Sequence, residues 1–280
     1  MARVLVIEDN PVNMKLARFL LGNVGHTVLC AADAESGLSM AYSEHPDLVL
    51  MDFQLPGMDG LAATVLLKQH PATAAIPVIA LTAMAMQADR ERSRLAGCDA
   101  YIAKPLRYQE LYATINALLP GGTPAEATPP TDALTAQPGF DGAAVIAGGR
   151  DHLAVDVSVL ESLIGHDPAV TLDFLRSFQI NAAKIALALK AACVEGLPLQ
   201  AARQAHKLKS SAYTMGAAAL GGLCVEMETA GKSGCVEALK RLLPRFEQEL
   251  AAVDGFLAAL LDRPGAIGVS VDIPDDHDAH

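Results

Sequence analysis

Five short, nearly continuous apolar runs punctuate the first 120 residues, and they constrain the fold more than any other feature of the chain. They are RVLVIE (3–8), TVLCAA (27–32), DLVLMD (47–52), PVIALT (77–82) and AYIA (100–103). Runs of this length suit parallel strands covered on both faces. Helical patterns separate and follow them, near 12–24, 34–44, 59–70, 86–96 and 106–118, with Gly25, Gly97, Pro46 and Pro71 marking their ends. Five βα units predict a small doubly wound α/β sheet, and right-handed crossovers restrict its topology.

Two shifts of composition divide the remainder. Residues 121–149 are rich in Gly, Pro, Ala and Thr and carry no hydrophobic period, which predicts a flexible linker. Residues 261–280 form an acidic, weakly patterned segment, read as a disordered tail. Between them, residues 150–260 lack strand alternation and carry helical patterns near 156–164, 168–192, 198–214, 217–230 and 234–260. Asp167-Pro168 reads as a helix cap followed by proline at the first helical position, and Leu197-Pro198 opens the next helix in a similar way. This half is expected to be an all-α bundle with antiparallel neighbours.

Chemistry concentrates at the strand ends. Glu8 and Asp9 follow the first run, and Asp52 closes the third. In an open α/β sheet that edge is where ligand sites form. One such acid is usually a cap or loop residue, but three together call for a cation or a function. Thr82 closes the fourth run and Lys104 follows the fifth. One reaction accounts for all five. A hard divalent cation such as Mg²⁺ held by Glu8, Asp9 and Asp52 would accept phosphate oxygens. Asp52 would act as nucleophile, while Lys104 and Thr82 would meet non-bridging phosphoryl oxygens.

The segments VLVIEDNPVNMKL, MDFQLPGMDG, ALTAMA and YIAKPL resemble those of response-regulator receiver domains across residues 3–119. The resemblance implies strand order 2-1-3-4-5, Mg²⁺ dependence and phosphorylation of Asp52 by a phosphohistidine donor. It also implies Glu8, Asp9 and Asp52 as metal ligands completed by the Phe53 carbonyl, Thr82 and Tyr101 as a switch pair, Lys104 as the phosphate lysine and a cis Lys104-Pro105 bond. An aromatic at the end of an edge strand is also often a plain half-buried sheet residue.

In the second half, QAARQAHKLKSSAYTMG places His206 mid-helix, with Lys209 and Ser210 on its face and Ala202 one turn before it. Small neighbours predict an open imidazole, and a lysine one turn on would offset the charge of a phosphohistidine. HKLKSS, Gly216 and LCVEMETAGK resemble the histidine-containing phosphotransfer domain over about 155–260, a four-helix bundle with an added N-terminal helix. That resemblance implies His206 as phosphocarrier, with Lys209, Ser210 and Ser211 on the surrounding surface. The family pattern has glycine where this chain has Ser210, and the added hydroxymethyl group would narrow the approach of a docking receiver.

The reading that follows is a phosphorelay protein, a carrier rather than an enzyme. It would exchange phosphoryl groups with a sensor histidine kinase or other response regulators, or between its own halves by way of the linker. The alternatives are an adaptor whose two domains serve separate partners and an aspartate-nucleophile phosphohydrolase. The latter lacks a second catalytic carboxylate beside Asp52, where Gln54 stands. Gly231-Lys232-Ser233 lacks the glycines and strand context of a nucleotide loop, and no ATP-binding kinase pattern is present. A formal net charge of −11, with neither half basic, argues against nucleic-acid or membrane partners. Five scattered cysteines without a CxxC pair, and no signal-like N-terminus, predict a reduced, cytoplasmic protein.

Overall fold

The computed structural model describes residues 1–82, 87–119 and 154–262; the side chains of 83–90 and the stretch read as a linker, 121–149, lie outside it, as does the tail from 263. Five strands, β1 (Arg3–Ile7), β2 (Thr27–Ala31), β3 (Leu48–Asp52), β4 (Val78–Thr82) and β5 (Ala100–Ala103), pair in parallel in the order β2-β1-β3-β4-β5. The register sets Ile7 beside Met51, Asp52 beside Leu81 and Thr82 beside Ala103, so one edge of the sheet collects every strand's C-terminal end. β3 and β4 are buried throughout, as their unbroken apolar runs require.

Helices α1 (Pro11–Gly22), α2 (Ala34–Glu44), α3 (Gly60–Gln69), α4 (Gln87–Ala96) and α5 (Tyr108–Leu118) complete this half. The first three start where the sequence provides a cap: Asn10, Asp33 and Asp59 each accept a first-turn amide, and Pro11 opens α1. Gly60 follows its cap because the chain passes so close to β3 that a Cβ there would fall 1.9 Å from the Asp52 carbonyl oxygen. The loop carrying Asp52 and the start of α3 are thereby locked together.

The second half is all helical: α6 (Val157–Ile164), α7 (Pro168–Val194), α8 (Pro198–Thr214), α9 (Ala218–Lys232) and α10 (Val236–Leu261). The four long helices bury Phe174, Phe178, Leu208, Met227 and Phe246 among them, and α6 packs against α7. Gly216 turns the chain between α8 and α9 at φ 79°, and a Cβ there would meet the Asp156 carbonyl oxygen at 2.0 Å.

The two halves are packed together. Leu16 and Leu20 of α1 belong to one apolar cluster with Leu160, Phe174 and Phe178. Phe19 meets Phe174 edge-on at 5.8 Å, and the Lys15 ammonium lies 4.8 Å over the Phe174 ring while pairing with Asp173 at 2.7 Å.

Candidate functional site

The sheet edge brings the acidic residues together as their strand positions predict. Glu8, Asp9 and Asp52 each place a carboxylate oxygen within 4.8 Å of the others, and Glu8 and Asp52 are 3% exposed. Lys104 reaches across from the end of β5, its Nζ 2.5 Å from Glu8 Oε2 and 2.7 Å from Asp52 Oδ2. Asp52 Oδ1 accepts the Gln54 amide at 3.1 Å. Glu8 Oε1 accepts the Asn10 amide at 3.1 Å and the Asn13 side chain at 3.2 Å.

Charge is poorly compensated here. Burial, helped by the neighbouring Asp52 and Asp9 and opposed by Lys104, pushes the Glu8 carboxyl up to about 7. Burial alone would lower Lys104, but the Asp52 and Glu8 charges outweigh it and hold the ammonium above its ordinary value. Asp9 Oδ2 is buried and takes no hydrogen bond. Within the receiver a single ammonium, that of Lys104, faces the three carboxylates, a donor set that fits a hard divalent cation. The Phe53 carbonyl already accepts the Gly60 amide at 3.0 Å, so only its second lone pair remains for a metal.

Thr82 is buried at the end of β4, and Tyr101 is half-buried on the edge strand β5. The Lys104-Pro105 bond is cis.

In the helical half, His206 sits midway along α8, but the sequence-based expectation of an open imidazole fails: the residue is 6% exposed. It lines a cleft that residues of the first half also line. Ring Nδ1 lies 2.9 Å from Glu228 Oε1 on α9. Glu228 also accepts Lys209 at 2.6 Å and Lys232 at 2.6 Å. Burial would raise its carboxyl, but His206, Lys209 and Lys232 together hold it well below the carboxylate range. An ionised carboxylate only accepts, so in the neutral ring the Nδ1 position carries the proton and Nε2 the lone pair.

Glu228 escaped the sequence reading. The available signal was a charged residue beside Met227 and one turn past Cys224, on the buried stripe of α9. Lys232, which the sequence offers no role once a nucleotide loop is rejected, ends α9 and braces Glu228.

A depressed carboxyl stabilises the fold above its unfolded value, 4.5, and that contribution is lost as pH falls through and below it. Glu228→Gln should therefore lower stability at neutral pH by about 1–3 kcal/mol, as a buried charged hydrogen-bond network loses its anion. It should also flatten the loss of stability on acidification below about pH 4.5, where the unfolded carboxyl takes up its proton before the folded one does. Chemical denaturation across that range checks both; an unchanged pH slope would contradict the assignment.

The two sets of residues face one cleft of about 670 Å³, lined by Asp52, Thr82, Arg203, His206, Lys209 and Lys232 among others. Its walls come from both halves. Asn10, the cap of α1, donates through Nδ2 to the Lys207 carbonyl at 2.7 Å, and its Oδ1 receives Asn181 at 3.3 Å. Asn13 donates to Ser210 Oγ at 3.2 Å, so the serine is engaged by the receiver half. Ser211 is fully buried and bonds back to the Leu208 carbonyl at 3.1 Å. Lys207 Nζ reaches Asp9 Oδ2 at 2.7 Å.

No helix among the described residues is long and apolar enough to cross a membrane.

Comparison with known proteins agrees with this division. Residues 4–116 match the model of the response regulator receiver domain, and 173–256 match that of the Hpt domain. The polar-differentiation response regulator DivK of Brucella ovis is 44% identical over 116 residues, covering 41% of this chain and 94% of that protein. Its counterpart in Brucella anthropi is 43% identical over the same length. Among solved structures, the receiver domain of the sensor histidine kinase PA1611 from Pseudomonas aeruginosa is 36% identical, with a TM-score of 0.40, and covers 42% of this chain and 96% of that one. A magnesium ion is coordinated in the active-site cleft of that domain. A five-stranded parallel sheet of order 2-1-3-4-5, the five helices behind it, the two family matches and the 44% identity to DivK together have one reading: the chain belongs to the response-regulator receiver family, with an Hpt domain fused behind the receiver, and is a phosphoryl-carrying phosphorelay protein.

Proposed function

We propose that Asp52 and His206 are the two phosphoryl carriers and that they exchange the group within one chain. The observation that carries this reading is the shared cleft: Asp52 and His206 line the same space, and the contacts that hold it closed are made between the receiver and its own Hpt half. In the exchange, the bond between phosphorus and the Asp52 carboxylate oxygen breaks as a bond from phosphorus to His206 Nε2 forms. The carboxylate leaves as the anion that Lys104 already holds. Glu228 keeps the Nδ1 proton on the ring and balances the imidazolium character that the phosphorylated histidine acquires. Arg203, Lys209 and Lys232 on the cleft wall suit the charge of the group in flight.

Glu8, Asp9 and Asp52 would hold Mg²⁺, which neutralises phosphate oxygens when bound. Thr82 would supply a hydroxyl to the phosphoryl group and pair with Tyr101 as the switch. The receiver spans 1–120, the linker 121–149 and the Hpt half 150–260. Outside partners are a sensor histidine kinase or further response regulators, and five unpaired cysteines suit a cytoplasmic setting.

A mixed-chain assay tests the internal route. An Asp52→Ala chain combined with a His206→Ala chain offers one intact carrier of each kind, on different molecules. Histidine labelling in that mixture should be slower than in the intact protein by at least about tenfold at micromolar concentration, since tethering supplies an effective concentration near millimolar. Equal rates would remove the internal route.

A further inference from the structure

One cation at the receiver's acidic site comes from the other half of the chain. Lys207 follows His206 on α8, and it is tied to the receiver at both ends. Its carbonyl receives Asn10 Nδ2 at 2.7 Å, and its ammonium lies 2.7 Å from Asp9 Oδ2. The Asp9 side chain is 6% exposed, and Asp9 Oδ2 takes no hydrogen bond, so the interaction there is one of charge with charge. Asp9 is also one of the three carboxylates gathered within 4.8 Å. Lys104 is committed to the other two, Glu8 and Asp52.

We propose that Lys207 occupies the cation position at Asp9 from the Hpt side, so that closure of the two halves and binding of a divalent cation by the receiver oppose each other. A site with a monovalent ammonium against one carboxylate offers a divalent ion less attraction and more repulsion than the open site does. Linkage makes the effect mutual: the factor by which closure weakens the metal is the factor by which the metal weakens closure. The metal-free receiver is then held shut over His206, and the metal-loaded receiver, the form competent for phosphorylation, is released toward outside phosphodonors. The inference rests on the reading of the cleft as a closed transfer arrangement, and that reading bounds it. A factor of roughly 5–20 is compatible with internal exchange, since the closed form must remain reachable with the cation bound.

The test uses the full chain and Mg²⁺ itself as probe, with two readouts: Mg²⁺ affinity by calorimetry and the separation of the halves by a pair of fluorescent labels. Lys207→Ala should tighten Mg²⁺ about 5–20-fold. Removing any nearby positive charge favours a cation, so a second variant isolates the linkage. Phe19→Ala with Asp173→Lys opens the halves at the contact of α1 with α7, without touching the three carboxylates, and adds positive charge, which by direct electrostatics would weaken Mg²⁺. Linkage predicts that it tightens Mg²⁺ instead, and that adding Mg²⁺ to the wild-type chain increases the separation between labels. Unchanged affinity in Lys207→Ala, or no tightening in the opened variant, overturns the proposal. Wild-type halves that are already apart without Mg²⁺ would instead refute the closed arrangement on which it rests.

Discussion

Replacing Asp52 with alanine should abolish acyl-phosphate formation on the receiver, by at least about a thousandfold, because a lost nucleophile is not replaced by its neighbours. Labelling with acetyl phosphate, followed by hydroxylamine cleavage, measures it directly. Glu8 is no substitute: burial raises it to about 7, so it is partly protonated at neutral pH. The same variant carries a stability signature. A carboxyl raised above its unfolded value of 4.5 favours the folded state below that value, and the contribution is lost as pH rises through about 7. Asp52 is one cause of the Glu8 shift, so in the absence of metal Asp52→Ala should lose less stability than the wild type between about pH 5 and 7.5. Wild-type levels of hydroxylamine-sensitive label in Asp52→Ala would refute the assignment of the acceptor.

Replacing His206 with alanine should remove all acid-labile label from the chain while leaving acyl phosphate on the receiver. Unlike a surface histidine, it should also cost stability. The imidazole is buried and bonds Glu228, so its loss leaves that carboxylate with Lys209 and Lys232 alone. A cost of about 1–3 kcal/mol is expected for one member of a buried charged network. His206→Gln, which fills most of the volume and can donate to Glu228, should recover part of the stability and none of the transfer. Thermal melts and label partition separate the two effects; acid-labile label persisting in both variants would place the carrier elsewhere.

The contrast between these two residues marks what the sequence could and could not convey. Asp52 was legible because strand periodicity is local: an apolar run ending in an acid fixes both the strand and the edge at which the acid emerges. The same logic located Glu8, Thr82 and Lys104, and the cap at Asp167 set the start of α7. His206 was legible as to helix and face, through its small neighbours and the lysine one turn on. Its burial was not, since Glu228, the carboxylate its ring meets, stands on a different helix. Lys207 shows the same limit. On a helix, a lysine beside the carrier reads as a solvated charge, and only tertiary contact aims it at Asp9. The sequence shows Ser210 as a departure from the family pattern, but not its partner Asn13, which lies on the other half. Ser210→Gly should therefore weaken closure rather than speed docking.

The central claim is that phosphoryl exchange between Asp52 and His206 occurs within one molecule. The most direct measurement is the rate of transfer from hydroxylamine-labile to acid-labile label in the intact chain, after one round of loading, over a hundredfold dilution. An internal route predicts a first-order rate constant that does not change with protein concentration. A rate that falls in proportion to concentration, matching the mixture of Asp52→Ala and His206→Ala chains, would contradict it.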